Sequence, residues 1–99
     1  MGVLSVALEE GFEQDAVVVL VNGQQVFDST DVSTRMQIGL AGSFEVPIEE
    51  EQVVVEVSVP SRGLSGRLEQ TVTDRMHIGV SLQDGEVVFR TSMEPFGYL

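Results

Sequence analysis

The segment Val53-Val54-Val55-Glu56-Val57-Ser58-Val59 carries valine at every odd position, and its even positions turn polar from Glu56 onward. A period of two marks a strand with one buried face, because a helical repeat would scatter those valines around its circumference. Such a strand needs partners, and the rest of the chain supplies them. Leu4, Val6 and Leu8 form a first alternation, and Ala16 to Val21 is apolar throughout and reads as a central strand covered on both sides. Met36, Ile38 and Leu40 alternate with Gln37 and Gly39. Phe44, Val46 and Ile48 form another inward set, in which Pro47 has no ladder donor and points to an edge. Leu64 to Val72 makes a longer, weaker strand. Met76, Ile78, Val80 and Leu82 alternate with His77, Gly79 and Ser81, and Glu86 to Arg90 comes last.

The turns agree with this reading. Asn22-Gly23 and Asp84-Gly85 each sit between apolar runs, and both pairs suit the tight hairpin turn in which two consecutive residues take positive φ. Ala41-Gly42 and the Pro60-to-Gly63 segment supply further breaks. No stretch sustains a helical period. The expectation is an all-β chain: one domain over residues 1–99, an antiparallel β-sandwich with Greek-key-like connections and about seven or eight strands.

An internal repeat adds to this. Arg35-Met36-Gln37-Ile38-Gly39-Leu40 recurs as Arg75-Met76-His77-Ile78-Gly79-Val80, and Val17–Val21 aligns with Val53–Val57. The alignment predicts two related halves, 17–48 and 53–90, facing each other about a pseudo-twofold axis. A glycine inside each repeated strand marks a bulge or a close approach.

Charge narrows the functions open to the chain. It has 99 residues, 16 carboxylates, five arginines, one histidine and neither lysine nor cysteine. Thiolate chemistry, disulfides and zinc-thiolate sites are excluded. Five arginines against a formal charge of −11 do not make a phosphate-binding surface. His77 is the sole imidazole, at a position where the other copy has Gln37, so it reads as an outward polar residue rather than a general base. No G-x-S-x-G elbow is present, and one domain of this size leaves little chain for a cleft between catalytic carboxylates. The chain therefore reads as a non-enzyme with no required cofactor.

Its work is expected to be protein–protein interaction or assembly, with homodimerisation through an edge strand or an exposed β face. The candidate partner-binding residues are Arg35, Gln37, Arg75 and His77 on the outward face of the repeated strands, with Phe96 and Tyr98 from the tail. The tail, residues 93–99, is expected to pack over an open edge of the core. Calcium is the alternative: Asp28, Asp31 and Asp74 fall in predicted loops or strand junctions, where a sandwich could gather oxygen ligands for a carbohydrate- or lipid-binding site. A third reading, an acidic inhibitor or nucleic-acid mimic, would need carboxylates clustered on one face. Glu49-Glu50-Glu51 reads as a charged block guarding the adhesive strand that follows. The N-terminal segment lacks a basic region before its apolar residues and no run is long enough to span a membrane, so the expected location is the cytoplasm.

Overall fold

A computed structural model describes residues 2–35 and 39–96 of the chain. Among these, eight strands form two four-stranded sheets. They are β1 (Gly2–Leu8), β2 (Asp15–Val21), β3 (Gln24–Val32), β4 (Gly42–Ile48), β5 (Gln52–Val59), β6 (Leu64–Thr71), β7 (Arg75–Gln83) and β8 (Glu86–Ser92). One sheet has the order β4-β1-β7-β8 and the other β3-β2-β5-β6. All neighbours are antiparallel except β1 and β7, which run parallel. The two sheets stack as a β-sandwich.

Alternation decides which side chains meet between the sheets. Val53, Val55, Val57 and Val59 are fully buried, as are Val17 and Val19 from β2 and Leu4, Val6 and Leu8 from β1. The register sets Val19 opposite Val57 and Val21 opposite Val55, so two valine rows lie side by side on the inner face. At about 25 cal/mol per Å² of apolar surface removed from water, this layer is the main source of stability. Both predicted hairpins have the backbone they require: Asn22 and Gly23 at φ 50° and 80°, Asp84 and Gly85 at 51° and 75°.

The two open sides of the sandwich are closed differently. Between β3 and β4, Phe27 stacks on Phe44 with ring centroids 5.0 Å apart and planes 8° from parallel. Between β6 and β8, Gly66 lets Val87 and Phe89 come so close that a Cβ at that position would lie 2.8 Å from Val87 Cβ.

Several expectations need correction. The apolar run of β2 is not covered on both faces, since Ala16, Val18 and Leu20 are only half-buried; among the described residues no third layer lies over the outer face of this sheet. The strand buried on both faces is β7, where Met76 to Leu82 are all buried. Asp28 and Asp31 are not in loops, because β3 continues through both to Val32. Their side chains reach water from an edge strand, which tolerates them. The strand that follows Glu49–Glu51 is not an edge, since β5 lies in the interior of its sheet; the edge beside this block is β4, which precedes it.

The repeat behaves differently at its two ends. Segments 17–21 and 53–57 are antiparallel neighbours, flanked by β3 and β6. The two hexapeptides differ in conformation at their described positions. Gly79 lies within β7, whereas Gly39 has φ +68° in a turn closed by Arg35 N–H donating to Leu40 O at 3.0 Å. The predicted strand through Met36 and Ile38 lies outside the described residues, and Leu40 forms only an isolated bridge with Arg35.

Candidate functional site

The outer face of the β4-β1-β7-β8 sheet gathers the most concentrated polar chemistry. In register, Gly79 of β7 faces Arg90 of β8, and His77 faces Ser92. Glu9 follows the end of β1, and its side chain lies over Gly79, where any Cβ would collide with the carboxylate. Arg90 holds that carboxylate with both arms, Nε donating to Oε1 at 2.9 Å and the second nitrogen to Oε2 at 2.5 Å. The Glu9 side chain is 5% exposed and that of Arg90 55%, so the guanidinium bridges a buried anion and the solvent.

Phe96 covers the other side of this arginine. Its ring centroid lies 4.0 Å from the guanidinium carbon and 6.3 Å from the His77 ring, which it meets nearly edge-on at 73°. A cation over an aromatic face gains electrostatically from the ring quadrupole. Beneath this cover His77 is 8% exposed, and its Nε2 has no hydrogen-bond partner among the described residues. His77 thus points to the outer face of its sheet, as the alternation predicts, but is covered there instead of solvated. Of the described tail residues, Phe96 lies on an outer sheet face, against Arg90 of β8 and His77 of β7, instead of over an open core edge.

Only two of the expected partner-binding residues meet here, His77 and Phe96. Arg75 pairs with Glu45 on β4 at 2.6 Å, with both side chains well exposed, an arrangement of small energetic value. Arg35 is exposed in the turn bridged to Leu40. Gln37 and Tyr98 lie outside the described residues. The proposed calcium ligands do not assemble: Asp28 and Asp31 sit in β3, Asp74 sits between β6 and β7, and its backbone carbonyl accepts from Val3 N–H at 2.7 Å. Among the described residues no group of three acidic, histidine or cysteine side chains could hold a metal ion.

A second buried carboxylate has a structural task. Asp15 begins β2 with its Oδ1 accepting from Arg62 Nε at 2.9 Å and Ser61 Oγ at 2.8 Å. Its Oδ2 accepts from Glu13 N–H at 2.9 Å and lies 2.8 Å from the second Arg62 nitrogen. Arg62 also donates to Gly11 O, which ties the β1–β2 loop to the short 3-10 turn Pro60–Arg62. Burial alone would push the Asp15 carboxyl up, but the bonds from Arg62, Glu13 N–H and Ser61 outweigh it and hold the group below its ordinary value. The same partnership raises Arg62. Neither Glu9 nor Asp15 stands out in the sequence from the solvated acids beside it. The available signal is two strand-end carboxylates with arginines far along the chain, which only a contact map turns into pairs.

At the β3/β4 side, Val21, Val26, Val46 and Ile48 line a half-open cavity of about 380 Å³. No helix among the described residues is long and apolar enough to cross a membrane. No protein-family model, curated protein or solved structure matches the chain significantly.

Proposed function

We propose that the chain is a non-catalytic interaction module that pairs with a second copy of itself along β8. The observation that carries this reading is the condition of the four sheet edges. Natural edges carry devices that block strand addition. Here β4 has Pro47, β3 has two register shifts against β2, and β6 has Gly66 with the exposed charges Arg67 and Glu69. β8 carries the charges Glu86 and Arg90 but neither proline, glycine nor bulge, and its pairing with β7 is continuous from Glu86 to Ser92.

The two-residue turn at Asp84-Gly85 makes Gln83 and Glu86 a hydrogen-bonded pair. Alternation then directs the peptide groups of Val87, Phe89 and Thr91 away from β7. Antiparallel pairing of two β8 strands about Phe89 would set Arg90 opposite Val88 of the second copy and diagonal to its Glu86. The Glu86 diagonal is favourable, while the other diagonal brings the two Arg90 side chains near each other, each already paired with its own Glu9.

Thr91→Pro tests this. Thr91 is exposed, and its N–H faces the open edge, so the variant loses no β7–β8 bond. The wild type should show concentration-dependent dimerisation by sedimentation equilibrium, and the variant should remain a monomer whose unfolding midpoint matches that of the wild type at dilutions where the wild type is monomeric. A wild type that stays monomeric at millimolar concentration overturns the proposal.

A further inference from the structure

The geometry points to a binding site for a small organic cation, a primary ammonium on an apolar body, in the cavity between β3 and β4. This side of the sandwich is opposite the β6/β8 side, so the site does not depend on pairing through β8.

The local backbone builds the cavity. Val19 pairs with Phe27 but Leu20 pairs with Gln25, so Val26 is an extra residue in β3. A bulge re-aims side chains. Here Val26 and Phe27, consecutive in the chain, both pack against the core. Phe27 goes to the Phe44 stack, and Val26 lines the cavity together with Val21, Val46 and Ile48. The volume of about 380 Å³ falls in the range of small-molecule sites.

The mouth is acidic and ordered. Glu49 and Glu50 follow β4 at its rim, and Asn22 of the β2–β3 turn donates to Glu50 Oε2 at 2.9 Å. Asn22 is itself held, because its Oδ1 accepts from Val54 N–H at 2.8 Å. Its turn residue φ of 50° fixes the direction from which the amide approaches. The Glu50 carboxylate is thus held by a doubly hydrogen-bonded Asn22 at the mouth of a cavity whose lining combines these apolar side chains with Gln24 and Asn22. Arginine and lysine are absent from the lining, and the chain carries a formal charge of −11, so the surrounding potential favours a cation. The fitting ligand places its alkyl or aryl body on the valines and its ammonium between Glu49 and Glu50.

The test is a titration followed by methyl NMR, using hexylammonium chloride and hexanol as its neutral counterpart. Hexylammonium should give saturable shifts confined to Val21, Val26, Val46 and Ile48, and hexanol should bind at least about tenfold more weakly. The double variant Glu49→Gln/Glu50→Gln, confined to exposed rim residues, should weaken hexylammonium by about tenfold and leave hexanol unchanged. Val46→Phe should fill the cavity and abolish both. The proposal fails if hexanol binds as well as the amine. It fails equally if the amine shifts are non-saturable and follow carboxylates across the surface, or if the glutamine variant binds as tightly as the wild type.

Discussion

Asp15 shows how one residue couples the protein to pH. Its carboxyl is held below the ordinary value of 3.8 when folded. A depressed folded value means the native state favours the ionised form, so the stabilisation is fully present above that ordinary value and is lost as pH falls through the lower, folded one. Asp15→Asn keeps the shape but removes the charge that Arg62, Ser61 and Glu13 N–H address. It should lower unfolding stability at neutral pH by about 1–3 kcal/mol. In urea melts at successively lower pH the gap from wild type should narrow and close once the wild-type carboxyl is protonated. A gap independent of pH would assign the loss to packing. Glu9 is also buried and held by an arginine, on the other sheet, and Gly79 is the reason it fits, since a side chain there would displace the carboxylate from Arg90. The glycine was legible in the sequence as a point of close approach. What approaches it was not, because Glu9 and Arg90 stand 81 residues apart.

At the scale of elements, period-two patterning located strands well wherever one face is buried, because burial enforces the alternation. It was weakest at β3, whose outward polar residues and bulges obey no strict alternation. It also missed the double burial of β7: the alternation of Met76, Ile78, Val80 and Leu82 with His77, Gly79 and Ser81 suggests a wet outer face, yet Phe96, Arg90 and Glu9 cover it. The β6/β8 contact yields a prediction at this scale. Gly66→Ala would place a methyl within 3.0 Å of Val87 and Phe89 side-chain carbons, and the strands must part to admit it. Overpacking of this kind should cost about 1–3 kcal/mol. Hydrogen exchange should show the loss concentrated in β6 and β8, while an effect spread evenly over both sheets would contradict a local closure.

For the whole molecule, charge and topology act together. Four of the five arginines are committed to carboxylates within the fold, so the negative surplus is left to act at long range. Two copies approaching through β8 each carry a formal −11, and screening shortens that repulsion from about 30 Å at 0.01 M salt to about 8 Å at 0.15 M. Self-association should therefore strengthen as salt rises over this range, read by sedimentation equilibrium, and an association that weakens with salt would require a different interface. The sequence by itself determined the all-β class, both tight hairpins, the valine layer and the edge at Pro47, because alternation, turn chemistry and a missing N–H act over a few residues. Only the tertiary structure decided the parallel pairing of β1 with β7, the burial of Glu9, Asp15 and His77, and the bulged cavity at Val26. Each of these depends on which distant segments meet, and a local pattern does not encode the distance between them.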